Sequence, residues 1–218
     1  MTEVQMHGNK FEDRVIQQVT GISKKDYQKL LSGGYTHVMD IVQGVLSDFN
    51  ASVKTTSGNG VGCGDFIRFM KECKNNSFKL IIGQWNQVDK YNKKFVLVYE
   101  FKWTPEYYNK MFGDLNEEIM NPFVDYVKSI PYGKQAQQEN KKLWKDRRSE
   151  IYNSVNSGIV SIDAKIDSDK QRRTQAGIKI DSLINIGVPH AVYKTNYRGI
   201  ELPYEVKSKP RTFKSKAA

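Results

Sequence analysis

An acidic residue, a short strand and a lysine follow one another between positions 40 and 54. The strand predicted over SDFNASVKTT alternates, so Asn50, Ser52 and Lys54 share one of its faces. Asp40 precedes this strand by one short predicted hairpin. Carboxylate oxygens bind Mg²⁺, and a nearby ammonium can position water and offset charge on a reacting phosphate. These residue types therefore fit the hydrolysis of a phosphodiester bond.

Two predicted helices precede this strand. Residues 9–19 carry apolar side chains at helical spacing, Phe11 and Val15 among them, and Glu12 lies beside that stripe. A second short helix is predicted over 24–32. The first helix can therefore bring a further carboxylate, that of Glu12, to the same site.

The central part of the chain predicts strands. Residues 36–56 predict a β-hairpin or two consecutive strands, and the glycines of 57–65 predict a flexible connection. The segments 79–88 and 94–103 are rich in β-formers and flank DKYNK, a pattern typical of a hairpin. The sequence therefore predicts a β-hairpin over these two segments.

The C-terminal half predicts helices followed by short strands. Helical spacing extends over 116–130 and 137–155, and short β-like runs fill 159–206. The order of elements predicts an α/β or α+β fold with a mixed central sheet flanked by helices. We expect one domain over 1–206, followed by a basic tail over 207–218.

Composition favours a polyanionic partner. The chain has 34 Lys+Arg against 24 Asp+Glu, a formal net charge of +10, and such a balance is typical of proteins that bind nucleic acid. Two cysteines and three scattered histidines argue against a disulfide scaffold and a zinc site. No apolar run predicts a membrane span or a secretory signal, so we expect a cytoplasmic protein in a reducing compartment.

A helix with KFEDRVI, then Asp40, then a strand with SVK resembles the core of the PD-(D/E)xK nucleases. Within that superfamily, KFEDRVI, SVKTT and GDFIRF resemble type II restriction endonucleases, over about the first 105 residues. The resemblance implies a catalytic core over about 9–105. It also implies that Asp40 is a metal ligand, that Lys54 holds the attacking water, and that Glu12 is an accessory acid.

The sequence departs from the family pattern at the second acid. Ser52 occupies that position and is predicted to act in the site through a water, unless Asn50 supplies the oxygen or Asp65 returns to the same edge. Glu100 and Lys102 form a literal E-x-K in VLVYEFKW and are the competing pair. The predicted metal ligands are therefore Asp40, Asp65 and Glu100, with Lys102 ranked below Lys54.

Two basic segments in an elaboration over about 106–206 predict DNA contacts. DSDKQRRTQ carries side chains suited to base edges and phosphates, and KKLWKDRR carries basic residues on one helical face. The predicted DNA-binding residues are Lys170, Gln171, Arg172, Arg173 and Gln175, with Lys141, Lys145 and Arg148.

The sequence as a whole predicts a Mg²⁺-dependent type II restriction endonuclease that cleaves duplex DNA at a short specific site. We expect a homodimer, because a two-fold protein matches a palindrome. One alternative is a non-catalytic nucleic-acid-binding protein with a degenerate nuclease core. Another is a nuclease that acts on RNA.

Overall fold

The computed structural model describes residues 3–31, 39–166 and 171–207. The helices are α1 (Glu3–Thr20), α2 (Lys24–Leu30), α3 (Phe66–Asn75), α4 (Tyr108–Phe112), α5 (Glu117–Ser129), α6 (Lys134–Ser154) and α7 (Ile180–Asn185), with a 3₁₀ turn at Pro105–Tyr107. The strands are β1 (Ala51–Thr56), β2 (Gly60–Asp65), β3 (Phe78–Gln87), β4 (Asn92–Trp103), β5 (Ser161–Lys165), β6 (Arg173–Lys179), β7 (His190–Tyr193), β8 (Asn196–Tyr197), β9 (Ile200–Glu201) and β10 (Tyr204–Lys207).

Residue contacts group the chain into two compact units. The sequence pattern predicted one domain over 1–206 and did not predict this division. The first unit takes its described residues from 1–58, 78–102 and 190–218. The second takes them from 59–77 and 103–189. Of the predicted tail, only Lys207 is described, and it is the last residue of β10.

The first unit is built on a mixed sheet. Its strand order is β1-β3-β4-β10, and β7 also pairs with β4. Strands β1 and β3 are parallel, with Lys54 opposite Ile82, whereas β7 and β10 run antiparallel to β4. The predicted mixed α/β class, with a mixed central sheet flanked by helices, is confirmed, as is the hairpin of β3 and β4.

Helix α1 packs on this sheet through its apolar stripe. Phe11, Val15 and Ile16 are all buried, and the Phe11 ring stacks on Phe95 with 5.0 Å between ring centroids. The Phe11 ring also lies against the backbone of Gly83, where an added Cβ would come within 2.7 Å of it. Gly83 therefore allows α1 to approach β3 closely, and this contact sets the position of Glu12, the next residue.

The β-hairpin or pair of strands predicted over 36–56 is wrong in its described first half. Residues 39–50 form a loop with one isolated bridge, between Ile41 and Ala51. Gly44 and Leu46 both have positive φ angles, 86° and 53°, so the backbone turns where a hairpin strand would have continued. Buried Tyr27 of α2 fixes this loop, because its hydroxyl accepts a 2.8 Å hydrogen bond from the Val42 amide.

The second unit contains a separate antiparallel sheet, with the order β2-β6-β5. The flexible connection predicted over 57–65 is wrong, because 60–65 is strand β2. The local signal misled because these glycines lie in a strand that pairs with β6; at Gly62 an added Cβ would lie 2.5 Å from Nε2 of Gln175. Side chains alternate along β6, with Thr174 and Ala176 buried and Gln175 partly exposed.

Helices cover the second sheet to different extents. Helix α5 buries four side chains, whereas none of the α6 side chains is fully buried. None of the helices within the described residues is long and apolar enough to cross a membrane.

Candidate functional site

The Asp40 carboxylate lies beside β1 and gathers three groups around one oxygen. Its Oδ2 accepts a 2.6 Å hydrogen bond from the Val53 amide, and the hydroxyl of Ser52 lies 3.4 Å from the same atom. The ammonium of Lys54 lies 3.3 Å from it. The structure thus brings Asp40, Ser52 and Lys54 together, although Asp40 reaches them from a loop and not from a strand.

The Lys54 ammonium makes a second contact on the same strand. It donates a 3.1 Å hydrogen bond to the carbonyl of Val53. The side chains of Lys54 and Asp40 are 24% and 21% exposed. Their charges are therefore partly shielded from water but still open to a ligand.

Glu12 of α1 joins this group through electrostatics. Burial, and next the negative charge of Asp40, raise the pKa of Glu12 to about 7, against the opposing effect of the ammonium groups of Lys24 and Lys54. Lys24, the first residue of α2, pairs with Oε2 of Glu12 at 2.7 Å. We define the acidic site as Glu12, Asp40, Ser52 and Lys54, with Lys24 at its border.

The acidic site has the donor set that a magnesium ion needs. Among the described residues, the contacts of Asp40 all use Oδ2 and the ion pair of Glu12 uses Oε2. Each carboxylate thus keeps a second oxygen. No group of three or more His, Cys, Asp or Glu side chains in the described chain could hold a metal. Mg²⁺ requires only one or two carboxylates and keeps several waters, so these residues fit it.

Asp65 and Asn50, the two alternatives to Ser52, make contacts elsewhere. Asp65 is the N-cap of α3, where its side chain accepts a 3.1 Å hydrogen bond from the Arg68 amide. Asn50, the other alternative to Ser52, accepts a 2.9 Å bond from the Gln43 amide within the loop. Both side chains thus stabilise local backbone structure.

Glu100 is the centre of a buried ion-pair cluster. Its carboxylate is 5% exposed, pairs with Lys79 at 3.0 Å and Arg198 at 3.3 Å, and accepts a 2.8 Å bond from the Tyr197 hydroxyl. Burial alone would raise the pKa of Glu100, but these donors more than offset it and the pKa is lowered. Lys102, its partner in the literal E-x-K, is exposed. The cluster links β3 and β4 to the turn that follows β8.

The predicted DNA-binding residues divide by exposure. Lys141 and Lys145 are exposed on α6. Arg148 instead turns toward β5 and pairs with Asp163 at 2.9 Å. Buried Arg172 donates to the carbonyls of Ile130, Pro131, Ile166 and Gln171.

The remaining residues of that prediction lie near β6. Gln171 precedes the strand, and Arg173 and Gln175 lie on its partly exposed face. Lys170 lies outside the described residues. The exposed candidates for a DNA interface are therefore Lys141 and Lys145, with Arg173 and Gln175 partly accessible.

Sequence reasoning missed Lys24 and Tyr27. Ser23 caps α2 by accepting from the Asp26 amide, and the short turn after α1 directs the start of α2 back toward Glu12. The available signal was the cap motif SKKD after Gly21, which marks a helix start one turn from the end of α1. The pairing of Lys24 with Glu12 depends on the angle between two helices, which this motif does not define.

Comparison with known proteins finds no matching family model, no similar curated protein and no solved structure of similar fold. The geometry of the acidic site and the charge of the chain are therefore the features that indicate a function.

Proposed function

We propose that this protein is a Mg²⁺-dependent nuclease of the PD-(D/E)xK kind, which cleaves duplex DNA at a short specific sequence as type II restriction endonucleases do. The observation that supports this most directly is the approach of Lys54 Nζ to within 3.3 Å of Asp40 Oδ2, with Glu12 in electrostatic reach. Carboxylates can hold a divalent ion that activates water, and an adjoining ammonium can offset charge on the reacting phosphate.

Each residue of the acidic site has one task in this mechanism. Glu12 and Asp40 would hold Mg²⁺, which when bound supplies a water of lowered pKa and offsets phosphate charge. Lys54 orients the attacking water and stabilises the charge that develops on the phosphorus oxygens. Ser52 keeps the Asp40 carboxylate in place through its hydroxyl.

The basic surfaces would position the substrate. Lys141 and Lys145 suit contacts to the phosphate backbone, which provide affinity without sequence preference. Gln175 and Arg173 on β6 have the donors and acceptors that base edges require. A homodimer would present two copies of each surface to a palindrome.

Plasmid cleavage tests the proposal. The protein with Mg²⁺ should give discrete fragments, and EDTA should abolish them. Lys54→Ala should lower the cleavage rate by at least about 10²-fold, because charge stabilisation in the transition state is lost, while DNA affinity measured in Ca²⁺ stays within about twofold.

Lys102→Ala is the matched control, because Lys102 is the exposed lysine of the competing E-x-K. It should leave cleavage unchanged. Full activity of the Lys54 variant together with loss in the Lys102 variant would move the chemistry to Glu100 and contradict the proposal.

Ser52 favours one other candidate function. A serine stands where the nuclease pattern has its second acid, and it is 8% exposed and bonded to Asp40. A chain that binds duplex DNA in Mg²⁺ but never cuts it would be a non-catalytic binding protein built on a degenerate nuclease core. The same plasmid assay, run beside a gel-shift measurement, separates the two functions.

A further inference from the structure

Two lysines occupy the acidic site as partners of its two carboxylates. Lys24 lies 2.7 Å from Glu12, and Lys54 lies 3.3 Å from Asp40. When Glu12 is ionised, the four charges sum to zero, so the metal-free site is neutralised from within. A divalent cation at the second oxygens of these two carboxylates would lie close to both ammonium groups and would be repelled by them.

Lys24 is the more exchangeable of the two. Lys54 also donates to the Val53 carbonyl, which holds its ammonium over β1. The helix that carries Lys24 is anchored independently of the lysine side chain. The Lys24 amide donates a 3.0 Å bond to Asp13, and buried Tyr27 bonds the Val42 amide. Release of the Lys24 ammonium from Glu12 therefore leaves α2 in place.

We infer that Lys24 is an intramolecular competitor of the divalent cation: its ammonium holds Glu12 in the metal-free protein and opposes the binding of the cation there. This inference rests on the proposed function, because it assumes that Glu12 and Asp40 hold a metal. It adds a positioning residue that lies outside the acid-x-lysine pattern. Lys24 thereby sets how much Mg²⁺ the site requires.

Metal titration of the full chain tests this role. Mn²⁺ serves as the probe, and its dissociation constant is measured by calorimetry and by electron paramagnetic resonance, at about pH 8.5 so that carboxyl groups are ionised. Lys24→Gln should bind Mn²⁺ about two- to tenfold more tightly than the unchanged protein, because a partly buried ion pair no longer competes. Lys24→Arg keeps the charge and should restore the original affinity.

Lys29→Gln is the charge-matched control. Lys29 lies on the same helix and pairs with Asp26 at 2.6 Å, but both side chains are more than half exposed. Its variant should bind Mn²⁺ with unchanged affinity. Thermal unfolding of each variant verifies that α2 is still folded.

The outcomes separate the inference from the proposed function. Glu12→Gln should weaken Mn²⁺ binding, and if it does while Lys24→Gln has no effect or weakens binding too, the inference is overturned and the metal site stands. Equal binding by the Glu12→Gln variant and the unchanged protein would overturn the metal site itself. Absence of Mn²⁺ binding in every variant overturns both.

Discussion

Side chains of the acidic site have structural as well as proposed chemical tasks. The Asp40 carboxylate accepts the Val53 amide, and the Lys54 ammonium donates to the Val53 carbonyl. One backbone position of β1 is thus bonded by both members of the ion pair. Substitution of either residue therefore changes the stability of β1 together with any chemistry, and each activity measurement requires a folding measurement beside it.

Glu12 gives the metal-free protein a specific pH dependence. Burial and the charge of Asp40 raise its pKa from 4.5 to about 7. Between these two values the unfolded chain has lost the Glu12 proton while the folded chain retains it. We expect the free energy of unfolding to fall as pH rises from about 4.5 to about 7. Glu12→Gln should flatten this slope, as measured by urea unfolding in EDTA.

Glu118→Gln is the control for the loss of one negative charge, because Glu118 is exposed on α5. It should leave the slope of stability against pH as it is in the unchanged protein. A Glu12→Gln variant with that same slope would show that Glu12 is not the titrating group in this range.

The sequence predicts which β1 side chains share a face, but it does not predict which residues from other elements contact them. The period of two in a strand puts Ser52 and Lys54 on one face, and both do contact Asp40. The contribution of Lys24 could not be predicted, because it depends on how α2 turns back on α1. The buried position of Arg172 was also missed, since two of its carbonyl partners, Ile130 and Pro131, lie 42 and 41 residues away in sequence.

At the scale of elements, the depth of α1 on the sheet controls where Glu12 lies. Phe11 packs between Gly83 of β3 and the ring of Phe95 on β4. Interiors are close-packed, so a single added methyl group must displace its neighbours. The position of Glu12 relative to Asp40 thus depends on the absence of a side chain at Gly83.

Gly83→Ala tests this dependence. The new Cβ would lie 2.7–2.8 Å from three carbons of the Phe11 ring, so we expect a loss of about 1–3 kcal/mol in the free energy of unfolding. The displaced helix should also weaken Mn²⁺ binding at Glu12. Urea unfolding and metal titration of the same preparation measure both effects.

Gly58→Ala provides the comparison, since a Cβ at Gly58 meets nothing within 4 Å. Its free energy of unfolding should stay within about 0.5 kcal/mol of the original value. If both glycine variants are equally stable, the Phe11 contact does not limit the approach of α1.

The sequence pattern predicted strands correctly where the two paired strands follow each other directly along the chain. The hairpin of β3 and β4 was predicted because its turn and both strands are contiguous. Strand β2 was missed because its glycines suggested a loop, while its partner β6 lies more than 100 residues later. The β-hairpin or pair of strands predicted over 36–56 failed in 39–50. There, Tyr27 of α2 bonds the Val42 amide and the Asp40 side chain bonds the Val53 amide of β1.

At the scale of the whole molecule, the net charge of +10 is the property that the proposed substrate would meet first. Such a charge attracts duplex DNA from any direction and strengthens binding by releasing counterions. The exposed lysines Lys141 and Lys145 of α6 would make direct contacts to DNA phosphates. The number of phosphates contacted by α6 is therefore a measurable quantity.

The salt dependence of DNA binding measures that number. Each phosphate contact adds about 0.9 to the negative slope of log Kobs against log salt concentration. A double variant, Lys141→Gln with Lys145→Gln, should therefore reduce the slope by about 2 and weaken binding equally for different DNA sequences. Fluorescence anisotropy with two unrelated duplexes, over a range of NaCl concentrations in Ca²⁺, gives both quantities.

A second double variant separates contact from net charge. Lys90 and Lys102 are exposed on the β3–β4 hairpin and on β4, so replacing both by glutamine removes the same charge away from α6. Because only direct phosphate contacts release counterions in this proportion, its slope should change by less than half as much. If the two double variants change the salt slope equally, α6 contributes only to the overall charge. Arg173 and Gln175 on β6 would then be the next candidates for the DNA interface.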